Sequence, residues 1–337
     1  MKWIIAGLLV LAFAGDAVAT TPKVAQVVAI PGGQHGLDLD DLGYVPALGR
    51  VVVPAGQVGE LLLIDPVNLT TSTIAGITGG AAAAKGAATT SVSYGDGYLF
   101  ASNHAPAQVV VVDAHNHQVV NRTALASAPD YVRYLAARHE VWVTEPHAKQ
   151  IQVFHLSDKP TPTLTAVATI EVPGGPESLV FDPARHRAYT NLWGSETVAI
   201  DTERDVLTGH WKNGCKGSRG LALDAAHAHL FVGCTEGRVV TLDVADHGRQ
   251  LASAPAGVGI DILSYSPALQ RLYVPAAKSA SLDVFAVSAA GTLARVASYA
   301  AVAHAHCVTA DGHGTAFVCD PRGGRILVYR TASPGAR

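Results

Sequence analysis

Short β-type segments separated by turn residues form a unit that recurs along the chain. In its clearest copy, such segments lie within 175–183, 187–191 and 196–201, and a fourth follows at 206–211. Segments of this length bounded by Gly, Pro, Asn and Asp are typical of β-strands. No stretch of the sequence has the spacing of a long amphipathic helix. We therefore predict an all-β fold built from four-stranded units.

The third segment of the unit can be traced through the whole chain. Its seven copies end at residues 65, 113, 155, 201, 243, 285 and 329, so successive steps measure 42 to 48 residues. A period of about 40–50 residues with four strands per repeat is typical of β-propellers, whereas a β-sandwich does not repeat its pattern in this way. The sequence predicts one seven-bladed β-propeller over residues 20–330, followed by a C-terminal tail at 331–337.

The two ends of the chain predict how the ring closes. The last copy of the unit stops after its third segment, and a spare β-type segment lies near the other end, at Val24–Ile30. We expect this segment to complete the seventh blade, because a closed ring leaves no open strand edge.

The first residues are typical of a cleaved signal peptide. Lys2 supplies a positive charge, Trp3–Ala14 form an apolar run, and Ala17-Val18-Ala19 is a small-x-small cleavage site. A run of this length is shorter than the roughly 20 residues that cross a bilayer. We predict cleavage after Ala19 and a secreted or periplasmic protein without a transmembrane segment.

Composition narrows the possible partners. Charged residues make up 15% of the chain, hydrophobic residues make up 49%, and the net charge is −3, with no run of Lys or Arg. Nucleic-acid surfaces need clustered cations that displace the phosphate counterions. The charge pattern therefore argues against nucleic acid, and we expect a monomer that binds a small molecule or a protein in the cell envelope.

The four cysteines predict disulfides, because the chain carries an export signal and their number is even. Cys307 and Cys319 are placed symmetrically about a turn near His313, so antiparallel pairing sets them directly opposite each other. Opposed residues have Cα atoms roughly 4.5–5.5 Å apart, which suits a disulfide. The second predicted pair is Cys215–Cys234, in which Cys215 must fold back through the Gly214–Gly217 loop.

One repeat carries a family resemblance. Ala188-Tyr189-Thr190-Asn191 followed by Thr197-Val198-Ala199-Ile200-Asp201 resembles the YVTN-repeat β-propellers, the YncE-like family. The resemblance implies a seven-bladed propeller in the periplasm or on the cell surface. It does not imply one function, because a fold alone does not define one.

Repeat alignment places a set of polar residues at the mouth of the central channel. Each copy has an aromatic or apolar residue in its second strand, which serves as a marker and is Tyr189 in the clearest copy. Glu177 lies twelve residues before this marker. In other copies this position holds Asp40 (or, with a slip, Asp41), Asp130, Arg219, Asp261, Ala305 or His306, and Thr89 or Thr90. In a ring of similar blades, residues at the same position of the repeat lie at the same level along the channel axis. We predict that Asp40, Asp130, Glu177, Arg219, Asp261 and His306 bind a ligand.

Further polar residues lie on loops of the same face. The loops after the second strands contain His104, Glu145, His147, Asn191, Trp193, Glu236, Lys278 and Asp320, and His35 and His304 precede first strands. Trp193 is positioned either to stack on a ligand or to cover a seam between blades. Several carboxylates around one cavity repel each other unless a cation neutralises them. A divalent metal is therefore one candidate cofactor, with His35, His104, His147 and His304 as possible ligands.

The sequence leaves the function open among several classes. The first is a non-catalytic binding or protein-interaction scaffold, because the chain lacks HExxH, CxxC, CxxCH and phosphate-binding glycine motifs. The second is a metal-dependent lactonase or lyase that uses the carboxylates and histidines. The third is a periplasmic redox partner. A structural alternative, in which these polar side chains line a solvated channel, also remains.

Overall fold

The computed structural model describes residues 26–78, 88–157 and 161–331, which form seven four-stranded antiparallel sheets. The first strand, β1 (Gln26–Ala29), belongs to the last blade, and each of the first six blades is built from four consecutive strands. Two short 3-10 helices, Ala136–Arg138 and Pro183–Arg185, lie in turns between first and second strands. The predicted all-β, seven-bladed propeller is confirmed.

The strands follow each other blade by blade. Blade 1 consists of β2 (Gly43–Val45), β3 (Arg50–Pro54), β4 (Leu61–Ile64) and β5 (Thr71–Ile74). Blade 2 consists of β6 (Thr89–Gly95), β7 (Tyr98–Asn103), β8 (Gln108–Asp113) and β9 (Gln118–Ala124). Blade 3 consists of β10 (Val132–Leu135), β11 (Glu140–Glu145), β12 (Gln150–Ser157) and β13 (Thr163–Glu171). Blade 4 consists of β14 (Glu177–Asp182), β15 (Arg187–Asn191), β16 (Glu196–Asp201) and β17 (Val206–Lys212).

The remaining blades repeat this order. Blade 5 consists of β18 (Ser218–Asp224), β19 (His229–Cys234), β20 (Arg238–Asp243) and β21 (Arg249–Pro255). Blade 6 consists of β22 (Ser264–Ser266), β23 (Arg271–Ala276), β24 (Ser281–Val287) and β25 (Leu293–Ala300). Blade 7 consists of β26 (Val308–Ala310), β27 (Thr315–Asp320), β28 (Arg325–Arg330) and β1. In the described part of the chain, no helix is long and apolar enough to span a membrane.

The core lies between neighbouring sheets. All six residues of β11 and all six of β19 are buried, so these second strands are covered on both faces by adjacent blades. The outermost strands differ, because β17 alternates between exposed and partly buried residues. Continuous apolar runs in the middle strands and alternating patterns at the rim therefore reflect the position of each strand within its blade.

The ring is closed by the N-terminal strand, as predicted. β1 pairs antiparallel with β28, and Val28 lies opposite Ile326. Val28 is buried with 6% of its surface exposed, whereas Val27 is 48% exposed. Of the predicted segment 24–30, residues 26–29 form the strand and residues 24 and 25 lie outside the described residues.

Both predicted disulfides are confirmed. Cys307 and Cys319 lie opposite each other with Cα atoms 5.4 Å apart, and the Cα atoms of Cys215 and Cys234 are 5.2 Å apart. Cys234 pairs with Ser218 in the β18–β19 register, so Cys215 reaches it from the loop before β18. Gly214 makes this fold-back possible, because its φ of +76° is a conformation that favours glycine.

Ring closure can be tested with neighbouring substitutions in β1. Val28→Asp places a charge among buried apolar residues, so we expect the free energy of unfolding to fall by about 3 kcal/mol or more. Val27→Asp changes the exposed neighbour in the same strand and is expected to have little effect. Urea unfolding followed by circular dichroism measures both. Equal stability of the two variants would contradict the closure described here.

Candidate functional site

Backbone hydrogen bonds align several of the predicted channel-mouth residues. At three junctions between blades, the N–H of the residue after such a position donates to the carbonyl of the equivalent residue in the next blade. These bonds are Asp41 N to Thr90 O (2.9 Å), Gly220 N to Asp261 O (2.7 Å) and Ile262 N to His306 O (3.0 Å). They identify Thr90 and His306 as the equivalent positions in blades 2 and 7, where the sequence left two options each. We call Asp40, Thr90, Asp130, Glu177, Arg219, Asp261 and His306 the mouth ring.

The carboxylates of the mouth ring converge although they come from blades that are not all adjacent. Burial raises the pKa of Asp40 well above its usual value, and the negative charges of Asp130, Asp261 and Glu177 raise it further. Burial likewise raises the pKa of Asp130, with added repulsion from Glu177 and Asp261. Carboxylates from opposite sides of the ring thus share one electrostatic environment.

A large cavity opens at this end of the channel. Its volume is 1260 Å³. The predicted site residues that line it are Asp40, Arg219, Asp261, His306, His35, His304 and Lys278, together with Thr90 of the mouth ring. The cavity walls therefore bring together charged side chains that are more than two hundred residues apart in the sequence.

Glu177 is held by an aromatic residue at the rim. Burial, followed by repulsion from Asp261, raises the pKa of Glu177 to about 7, although the Trp193 indole and Arg219 oppose this shift. The indole Nε1–H of Trp193 donates to Glu177 Oε2. The guanidinium of Arg219 lies over the Trp193 ring, 5.6 Å from its centroid. Trp193 remains 44% exposed, so the rim presents an aromatic surface beside a cation and a carboxylate.

A partly buried ion pair next to the mouth ring was not predicted from the sequence. Arg133 of blade 3 contacts both carboxylate oxygens of Asp41 in blade 1, with an Nη2–Oδ1 distance of 3.0 Å. Ser91 of blade 2 donates its hydroxyl to Asp41 Oδ2 at 2.6 Å. Asp41 is thus paired with Arg133, whereas Asp40 lines the cavity at the mouth. This settles the one-residue ambiguity between the two aspartates.

The four histidines proposed as metal ligands are placed separately. His35 and His304 line the cavity, His104 lies 3.0 Å from the Thr90 hydroxyl, and the ring of His147 packs edge-on against Trp193 at 6.1 Å. Donor atoms of three potential metal ligands lie within 4.8 Å of one another in two groups of the described residues, and both groups contain His306 rather than these four. The role of the four histidines stays a prediction.

Several other rim residues have structural contacts. The Asn191 amide donates to the carbonyl of Arg219, and Glu145 accepts a hydrogen bond from Gln150 at 2.7 Å. Glu236 accepts the backbone N–H of Lys216 at 2.8 Å, and Asp320 pairs with Arg325 at 2.7 Å. These contacts fix loops of the mouth face.

Comparisons with solved structures show the fold. A chain in the crystal structure of the Mitotic Checkpoint Complex has a TM-score of 0.75 and 13% identity, over 97% of this chain and 100% of that chain. The β-propeller domain of Cps50 (Swd1) from Myceliophteria thermophila has a TM-score of 0.72 and 11% identity, over 91% and 99%. The WD40 repeats of RRP9 have a TM-score of 0.73 and 9% identity, over 93% and 100%.

Neither a family model nor a curated protein sequence matches the chain. The resemblance to YVTN-repeat propellers is therefore not confirmed at the level of the family. What the solved structures share with this chain is a seven-bladed propeller with WD40-like architecture.

The raised pKa of Glu177 predicts a pH-dependent stability. The folded protein binds the proton of the Glu177 carboxyl more tightly than the unfolded chain does. The contribution of this carboxyl to the free energy of unfolding is therefore fully present below about pH 4.5 and is lost as the pH rises to about 7. Glu177→Gln removes the charge and keeps an oxygen for the Trp193 indole. We expect the variant to gain about 2 to 3 kcal/mol over the wild type between pH 4.5 and pH 8.

Urea unfolding at a series of pH values measures this difference. Glu203→Gln is the matched control, because Glu203 is 63% exposed in the turn between β16 and β17, on the face opposite the mouth ring. Parallel stability profiles of the wild type and Glu177→Gln would contradict a strained carboxylate at this position.

Proposed function

We propose that this protein is an exported binding propeller whose mouth ring takes a ligand with a cationic group. The observation that carries the proposal is the convergence of Asp40, Asp130, Glu177 and Asp261 on one environment, opposed within the mouth ring by Arg219 and His306. A bound cation relieves the repulsion among these carboxylates, and the energy released in this way favours binding.

The rim supports a ligand that carries an anionic group as well. Arg219 lines the cavity and has its guanidinium over Trp193, which holds the planar group in one orientation. A guanidinium positioned in this way suits a carboxylate, which it binds through two parallel hydrogen bonds. The ligand class is therefore a compact polar molecule, or a segment of a protein, with a cationic end for the carboxylates; a ligand that also has an anionic end can pair it with Arg219.

Protein partners are consistent with this fold. A chain that superposes on this propeller belongs to the Mitotic Checkpoint Complex. Blade edges and loops of a propeller present a wide surface around the channel mouth. A cationic side chain of an envelope protein is therefore one source of the ligand, and a free diamine or amino acid is another.

Binding can be measured by isothermal titration calorimetry at pH 8 in buffer that contains EDTA, which excludes metal ions. The probes are putrescine, lysine and a short lysine-containing peptide. We expect at least one of them to bind the wild type, and Glu177→Gln to weaken its affinity about tenfold, since one charge of the site is lost. Glu203→Gln again serves as the control. The absence of binding by all three probes, or equal affinity of Glu177→Gln and the wild type, would contradict the proposal.

Export has its own test. Full-length protein is expressed in a bacterial host, and the product in the periplasm or medium is analysed by intact mass spectrometry. We expect a chain that begins at Thr20, because the small residues Ala17 and Ala19 lie third and first before the cleaved bond. Retention of Met1 on cytoplasmic protein would exclude the signal.

A further inference from the structure

We propose that Asp40, Asp261 and His306 form a binding site for a first-row divalent transition-metal ion such as Zn²⁺ or Mn²⁺. The inference deepens the proposed function, on which it rests, by naming the cation that these side chains accept. The three residues belong to the mouth ring, and all three line the 1260 Å³ cavity.

The donor atoms are already close together. One carboxylate oxygen of Asp40, one of Asp261 and one ring nitrogen of His306 lie within 4.8 Å of one another. His306 Nε2 is 3.8 Å from Asp40 Oδ1. Ligands that bind a single zinc ion at roughly 2.0–2.2 Å lie at most about 4.4 Å from one another. Small side-chain rotations therefore complete the site.

The orientation of His306 is the observation that points to a metal. Its Nδ1 lies 2.7 Å from the backbone carbonyl of His304, and a carbonyl oxygen only accepts hydrogen bonds, so Nδ1 carries the proton. In the neutral imidazole, Nε2 then presents its lone pair to the cavity. Metal-binding histidines are typically held in this way, with the second ring nitrogen donating to a backbone carbonyl or a carboxylate.

A direct hydrogen bond does not account for the arrangement. The distance of 3.8 Å between His306 Nε2 and Asp40 Oδ1 exceeds hydrogen-bond length. The three donor atoms nevertheless lie within 4.8 Å of one another, close enough for one cation placed between them to contact all three.

The backbone holds the three residues in fixed relative positions. Asp261 and His306 accept, through their carbonyls, the inter-blade hydrogen bonds from Gly220 and Ile262. His306 is followed by Cys307, whose disulfide to Cys319 ties this segment to β27. The ligands come from three blades that follow each other around the ring, so ring closure between blades 7 and 1 brings Asp40 to the other two.

The donor set selects among metals. One imidazole nitrogen and two carboxylate oxygens suit Zn²⁺, Mn²⁺ or Fe²⁺, whereas Ca²⁺ takes six to eight oxygen ligands and Mg²⁺ prefers oxygen donors and retains several waters. The open cavity above the three ligands leaves room for water or a ligand group on the metal. The charges of Asp130 and Glu177 act on Asp40, and Arg219 lines the same cavity as the three ligands.

The test uses the untagged mature chain, stripped with EDTA and dialysed free of it. ZnCl₂ and MnCl₂ are titrated separately by calorimetry, and the metal retained after gel filtration is counted by elemental analysis. We expect one equivalent of Zn²⁺ per chain. We expect His306→Asn and Asp261→Asn each to weaken Zn²⁺ binding about 100-fold or more, because each removes a direct ligand.

His117→Asn is the matched control, because His117 is exposed in the turn between β8 and β9, on the face opposite the mouth ring. Asn suits the positive φ of 63° at this position. Thermal unfolding verifies that each variant is folded, and Asp261→Asn gives the answer if His306→Asn is not. No Zn²⁺ binding by the wild type, unchanged binding by the ligand variants, or an equal loss in His117→Asn would overturn the inference. Diamine binding in EDTA is measured independently, so failure here is distinguishable from failure of the proposed function.

Discussion

The structure depends on burial of the middle strands from both sides. The central residues of β8, Val109–Val112, are completely buried, and so are those of β11 and β19. A single blade has no partner of its own for either face, so each sheet needs two neighbours. Only a closed ring gives every blade these neighbours, and the pairing of β1 with β28 completes the last one. The stability of any blade is therefore tied to the closure between blades 7 and 1.

Closure of the ring also brings several carboxylates close together at the channel mouth. Equivalent positions of like blades lie at the same level, and inter-blade backbone hydrogen bonds hold them there at the junctions of blades 1 and 2, 5 and 6, and 6 and 7. When four of the seven positions hold carboxylates, their charges cannot separate without opening the ring. Burial raises the pKa of Asp40, Asp130, Glu177 and Asp261, and repulsion from neighbouring carboxylates raises the pKa of the first three further. The scaffold thus maintains a charge arrangement that loose loops would relax.

Periodic features of the fold were accessible from the sequence. The apolar third segments gave the blade count, the symmetric spacing of Cys307 and Cys319 gave a disulfide, and the constant offset from the second-strand marker gave the mouth ring. Each of these follows from the regular geometry of one blade. The same reasoning left Asp40 and Asp41 ambiguous, because it fixes a position along the strand but not the partner of a side chain.

Contacts across the channel could not be derived in this way. The pair of Arg133 and Asp41 joins blade 3 to blade 1, and the tautomer of His306 depends on the carbonyl of His304, two residues away in a tight bend. Both require the closed ring and the side-chain orientations. The sequence does show an arginine, Arg133, three residues after Asp130 of the mouth ring. Its partner Asp41 can be identified only once the blades are arranged in space.

The pair of Arg133 and Asp41 has a consequence for how the repeats depend on one another. Arg133 of blade 3 contacts the carboxylate of Asp41 in blade 1, and Ser91 of blade 2 donates its hydroxyl to the same carboxylate. One side chain therefore links three successive repeats. A substitution at any of these three residues changes the contacts of two other repeats, so the three positions are constrained together although about 40 to 90 residues separate them in the sequence.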